Sequence, residues 1–243
     1  MGIPKHPFAV EAFFEHSLVL TFAVPKAQLE GMIPDRLELD TFKDEWAFIA
    51  VAMVQTSGLR PAGLPKIFGN NFFLIGYRIF VRYTNKAGKR LRGLYILKSE
   101  TDSRKMEFLG NLMTNYKYTT TDITETIEET RRTITSKKSD LKVVATISKM
   151  EATLPHGTPF ETWKEARRFA GPLPFTFSYN TEEDSMLVVQ GLRQNWTPKP
   201  VSIEAFEVGF LTSLKLKGLQ LASGFEVSQI PYRWKKGLVE RWS

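Results

Sequence analysis

The chain has 243 residues, 42% of them hydrophobic, enough for one large domain or two small ones around a sizeable core. It has no cysteine, which excludes disulfides, thiolate catalysis and cysteine-held metal together. Lys and Arg total 33 against 26 acidic residues, a net charge of +7, yet the positive residues are scattered. The densest groups, Lys86–Arg92, Arg131–Arg132, Lys137–Lys138 and Lys235–Lys236, fall mostly at turns. No nucleic-acid motif accompanies them, so they read as solvated charge and no nucleic-acid partner is expected. No apolar run approaches the ~20 residues that span a bilayer. Glu11, Glu15 and His16 interrupt any signal-peptide pattern, and Met1-Gly2 lacks the Ser or Thr at position 6 that myristoylation requires. A cytoplasmic protein without a membrane partner is the expectation.

Leu18–Val24 reads as the opening strand. Pro25 suits a first helical position, and Leu29, Met32 and Ile33 make an apolar stripe that Pro34 ends. Leu37–Asp40 is a short extended piece. Trp46–Gln55 is a continuous apolar run of strand length, expected to be buried on both faces. Residues 57–71 are dense in Gly and Pro and read as a long loop. Phe72–Tyr83 and Leu91–Leu97 flank Asn85–Lys89, a tight-turn composition, and predict an antiparallel hairpin. Asp102 or Ser103 then caps a helix whose apolar residues Met106, Leu109, Leu112 and Met113 recur at helical spacing. Residues 116–149 read as further strands, with a turn at Ser136–Asp140. Thr158, Pro159 and Glu161 predict a capping box that opens a helix over Thr158–Gly171, ended by Gly171-Pro172. Beyond it, Phe175–Tyr179, Met186–Leu192, Val201–Leu211 and Gly218–Ile230 read mainly as strands. Nothing marks a domain boundary, so residues 1–243 are expected to form one β-rich α+β domain, antiparallel and barrel-like, with a few helices.

The hairpin carries the candidate site. Alternation places Leu74, Gly76, Arg78, Phe80 and Arg82 on one strand face, and Leu94, Ile96, Lys98 and Glu100 on one face of the partner. Both faces begin apolar and turn charged. Counting back from the turn sets Arg78 opposite roughly residue 97, with allowance for a bulge. Arg78, Lys98 and Glu100 are therefore expected near one another at the mouth of a cavity, with Tyr116 and Lys117 returning to the same end. Two cations beside one carboxylate suit a small anionic ligand such as a carboxylate. The plain alternative is an exposed Arg78–Glu100 ion pair. His6, His16 and His156 have no metal-ligand spacing, and the Gly-rich phosphate loops, the dinucleotide fingerprint and the Gly-x-Ser-x-Gly motif are missing, so neither metal nor cofactor is expected.

The order of motifs resembles the acetoacetate decarboxylase-like superfamily, and within it a widespread uncharacterised branch. The resemblance rests on Val24–Phe42 (VPKAQLEGMIPDRLELDTF), Glu45–Phe48, Gly63-Leu64-Pro65, Arg78–Val81, Gly93–Leu97 and Gly224–Val227. It covers most of the chain and implies a cone-like barrel enclosing a small cavity. Decarboxylases of that superfamily form an imine between a lysine and a β-keto acid, with a lysine whose pKa is lowered by burial or a neighbouring cation. The matching stretch here departs from their motif. Asn111-Leu112 stand for the Arg-Glu pair, Tyr116 for the aromatic, Lys117 for the proline, Tyr118 for the reactive lysine and Leu74 for the active-site glutamate. Only Arg78 carries over, so ordinary decarboxylation is not expected. If imine chemistry exists, Lys98 and Lys117 are its candidates. A small-molecule binder is the first expectation. A lyase with a non-standard lysine and a non-enzymatic partner-binding protein are the alternatives, and the sequence leaves the oligomeric state open.

Overall fold

The computed structural model describes residues 5–147, 152–171 and 173–242. Strands β1 (Val10–Pro25), β2 (Glu38–Leu39), β3 (Trp46–Pro61), β4 (Asn70–Thr84) and β5 (Arg90–Thr101) lead into helix α1 (Arg104–Met113). Strands β6 (Tyr118–Thr120), β7 (Thr124–Glu128), β8 (Arg131–Ser136) and β9 (Leu141–Thr146) precede the short helix α2 (Trp163–Ala166). Then come β10 (Phe175–Asn180), β11 (Ser185–Arg193), β12 (Lys199–Pro200), β13 (Ser202–Val208), α3 (Gly209–Ser213), β14 (Gln220–Trp234) and β15 (Leu238–Arg241).

In the main sheet, hydrogen bonding passes through β14, β1, β3, β4, β5, β10 and β11, and β11 pairs again with β14, so the path closes on itself. A smaller sheet runs β13, β9, β8, β7. Pairing is antiparallel except where β5 meets β10 and β6. The long strands read as unbroken apolar runs because both faces are buried. Leu18, Leu20, Ile49, Val51, Met53 and Ile79 belong to one core, which Ile134, Val143 and Ala145 of the smaller sheet join. The alternate residues Val19, Ala23, Phe48, Ala50, Ala52 and Phe80 belong to a second core with Phe160, Ala166 and Phe169. Period-two alternation sorts each strand between the two.

The predicted hairpin, its turn at Gly88 and the capped α1 are all present, and the Ser103 side chain accepts from the Met106 amide. The stripe at residues 26–33 forms two 3-10 turns, Lys26–Gln28 and Glu30–Met32. The loop expected over 57–71 shrinks to 62–69. Strand β3 continues because Gly58 adopts a left-handed φ of 63° at a register shift, after which Arg60 and Pro61 still pair with β1.

The helix expected over Thr158–Gly171 begins later than its first capping signal. Its cap is Thr162, which accepts from the Glu165 amide, while the Glu165 carboxylate accepts from the Glu161 amide. The chain thus uses the second Thr-x-x-Glu, four residues on: Thr158 donates to the Ala222 carbonyl and accepts only from the Phe160 amide, and Phe160 is buried against Phe48. The helix passes into a 3-10 turn over Arg167–Phe169; the stop expected at Pro172 lies outside the described residues, as do Met1-Gly2 and the end of the 116–149 segment. The strand expected over Val201–Leu211 divides into β13 and α3.

Candidate functional site

One feature of the hairpin decides where the candidate residues go. Arg78 pairs with Ile96, one residue from the expected partner, but Tyr77 pairs with Lys98, so Leu97 is an extra residue in β5. A bulge of this kind re-aims every side chain beyond it. Leu94 and Ile96 keep the face of Phe80 and Arg78. Lys98 and Glu100 turn to the opposite face, beside Tyr77 and Ile75. The expected Arg78–Lys98–Glu100 cluster is therefore split across the sheet, and the plain alternative of an Arg78–Glu100 ion pair fails for the same reason.

On its own face, Glu100 is almost fully buried, at 2% exposure, and fully partnered. It accepts from Lys98 Nζ at 2.6 Å, Tyr77 OH at 2.8 Å and Ser139 Oγ at 3.0 Å. The Lys98 ammonium also sits 5.4 Å from the Phe210 ring. This arrangement ties the hairpin to the turn at 137–140 and keeps Glu100 off the cavity wall.

Arg78 faces a cavity of about 280 Å³. Ring strands β1, β3, β4, β5, β10 and β14 contribute to its wall, as do α1 and the segment after it. The guanidinium lies across Gly76: a Cβ there would come within 2.7–2.9 Å of its atoms. No described residue gives it a hydrogen bond or an ion pair, its Nε is buried without a partner, and no carboxylate is among the described residues that line the cavity. Burial lowers its pKa from the ordinary arginine value, and Tyr118, Tyr232 and Tyr116 oppose that shift. Burial raises all three phenols, Tyr118 to about 12, so they stay neutral and leave the arginine charge unbalanced.

The segment after α1 is folded back by Asn111, whose amide donates to the Tyr118 carbonyl at 2.8 Å and accepts from the Tyr118 N–H at 2.7 Å. Tyr116 and Tyr118 point inward with the exposed Lys117 between them, at a left-handed φ of 53°. Of the expected site residues, then, Arg78 and Tyr116 meet at the cavity, whereas Lys98, Glu100 and Lys117 do not line it. Among the described residues the Tyr116 hydroxyl has no hydrogen-bond partner. Tyr118, Tyr232, Thr176 and His6 share the polar lining with Ser17, Thr56, Asn70, Ser99 and Thr114, and two further cations, Arg60 and Lys105, also line the cavity. Alignment alone singled out Tyr118. His6 carried no local signal, because it arrives through chain pairing: its N–H donates to the Met113 carbonyl, and its carbonyl accepts from Gly237.

The His6 ring lies 5.1 Å from Tyr116, and its buried Nε2 has no partner among the described residues. Burial lowers its pKa from 6.5 to about 4. Between those values the unfolded chain binds a proton that the folded chain refuses, so stability falls as pH falls, by up to about 3 kcal/mol. His6→Gln should flatten the pH dependence of the urea unfolding free energy in this window by about one proton. An unchanged slope would show that His6 is accessible to protons in the folded state.

Among the described residues no helix is long and apolar enough to cross a membrane, and no three His, Asp or Glu side chains gather as metal ligands. A closed β-rich sheet around a cavity with an inward arginine defines an acetoacetate decarboxylase-like fold. Acetoacetate decarboxylase from Legionella pneumophila subsp. pneumophila str. Philadelphia 1 superposes with a TM-score of 0.58 at 14% identity, over 95% of this chain and 87% of that one. An acetoacetate decarboxylase-like enzyme from Sphingomonas wittichii RW1 gives 0.58 at 10% identity, over 97% and 93%. The enduracididine biosynthesis enzyme MppR, complexed with pyruvate, gives 0.56 at 10% identity, over 100% and 93%. The chain belongs to the DUF2071 family, described as an uncharacterized conserved protein, whose profile matches residues 11–231. No curated protein matches the sequence.

Proposed function

We propose that this protein binds a small carboxylate, of the keto-acid kind, at Arg78 in the cavity of a single-domain, cone-like barrel, without lysine-dependent decarboxylation. The observation that carries this reading is the buried guanidinium with no counter-charge among the described residues. A desolvated cation is costly unless something anionic completes it. A carboxylate matches its fork in two parallel hydrogen bonds, and the free Tyr116 hydroxyl is a third donor. Against decarboxylation stands Tyr118, aligned where the reactive lysine belongs, with its ring on the cavity wall. Lys98 and Lys117, the earlier candidates for an imine, are respectively engaged with Glu100 and exposed. The pyruvate complex of MppR supports the ligand class by likeness of fold only.

Thermal unfolding against pyruvate, acetoacetate and related carboxylates tests this. Stabilisation should grow with the logarithm of ligand concentration. Gly76→Ala should keep the unliganded fold, because only the mobile end of Arg78 must give way, yet weaken binding about tenfold or more by displacing the guanidinium. Lys98→Ala should leave binding unchanged. A panel without a stabilising carboxylate would favour a partner-binding role, and a lysine trapped by borohydride with release of carbon dioxide would overturn the reading outright.

A further inference from the structure

A keto acid the size of pyruvate does not fill this cavity. A dry cavity of about 150 Å³ holds benzene, which has as many heavy atoms as pyruvate. The space here, about 280 Å³, is nearly twice that. Scaled on benzene, it accommodates about eleven heavy atoms, roughly eight of them beyond a carboxylate. Tyr116, Tyr118, Tyr232 and Thr176 share the cavity wall with Arg78 and offer neutral hydroxyls to a headgroup. Much of the remaining wall is apolar, built from Phe72, Leu74, Ile96, Met106, Leu109 and Met113.

Helix α1 points the same way. Met106, Leu109 and Met113, three of the four residues of the apolar stripe read from the sequence, spend their surface on the cavity wall. Methionine side chains adapt to flexible apolar guests more readily than branched ones. Water along this apolar stretch of wall finds few partners, so a tail that displaces it there gains the hydrophobic term.

Resting on the reading that Arg78 takes a carboxylate, we infer that the ligand is an amphipathic monocarboxylate, with an aliphatic or aromatic tail of roughly six to eight carbons lying along α1. Its headgroup neutralises Arg78, and its tail occupies the wall formed by Phe72, Leu74, Ile96, Met106, Leu109 and Met113.

Calorimetric titration with butanoate, hexanoate, octanoate, decanoate and dodecanoate, each below its micellar concentration, tests the inference. Affinity should rise about fourfold per added methylene as far as octanoate or decanoate, then fall at dodecanoate, with one ligand per chain. Leu74→Trp, which fills part of that wall, should shift the optimum to a shorter acid. Butanoate binding as tightly as octanoate would overturn this inference and leave the Arg78 reading intact. Octanol binding as tightly as octanoate would instead overturn the Arg78 reading. Binding by none of the acids, keto acids included, would remove both.

Discussion

Replacing Arg78 by methionine is expected to abolish carboxylate-induced stabilisation and, at the same time, to make the unliganded protein more stable. The two effects have one cause. Arg78 is held deep in the sheet without a counter-charge among the described residues, and its Nε makes no hydrogen bond. Methionine is unbranched, of similar reach and apolar, so it fits the same wall without the desolvation penalty. Replacing buried charge by apolar side chains of like volume commonly stabilises a protein, here by about 1–3 kcal/mol. Removing a charge from a buried, hydrogen-bonded pair weakens binding by about 2–5 kcal/mol, which takes a micromolar ligand to between roughly 30 μM and 5 mM. Urea unfolding of both proteins, with and without an excess of carboxylate, reads both quantities. A less stable variant that still binds would show that Arg78 holds the fold rather than the ligand.

Phe169→Ala is expected to be the most destabilising single truncation, with a loss of about 3–5 kcal/mol. Phe169 is fully buried, with ring centroids 4.0 Å from Phe48, 5.4 Å from Phe80 and 5.7 Å from Phe160. Its carbonyl accepts from the Thr21 hydroxyl at 2.7 Å, which fixes the turn against β1. The Arg92 and Arg168 guanidinium groups lie over the ring at 5.0 and 5.4 Å, and both also reach the buried Asp40. Alanine would open a cavity among three rigid rings that cannot collapse, because β3 and β4 are pinned by their neighbours on both sides. The urea midpoint should fall with no change in slope. Phe169→Leu, which keeps most of the volume, should lose less than half as much. A loss below about 1 kcal/mol for the alanine variant would mean that α2 and its turn contribute little to the folded state.

Much of the fold is legible in local pattern. The unbroken apolar run at Trp46–Gln55 correctly signalled a strand buried on both faces, because alternate residues supply two different cores. Ser103 could be read as a helix cap because the cap and the amide it receives are three residues apart. Where two local signals compete, pattern alone does not choose. Thr158-x-x-Glu161 and Thr162-x-x-Glu165 are equally good capping boxes, and the burial of Phe160 against distant Phe48 selects the second. Gly58 read as a loop residue, yet β3 continues through it because β1 and β4 supply hydrogen bonds on either side.

By itself, then, the sequence determined the β-rich class, the central hairpin and the strand face that Arg78 shares with Leu74, Gly76 and Phe80, all set by alternation and turn chemistry within a few residues. Only the tertiary structure decided the site. The extra residue at Leu97 belongs to the pairing of β4 with β5, and it turned Lys98 and Glu100 away from Arg78. His6, Thr176 and Tyr232 reach the cavity from opposite ends of the chain. The isolation of the arginine is a property of everything around it: a charge is unbalanced only when each surrounding strand has brought in something neutral, and no local stretch of sequence records that.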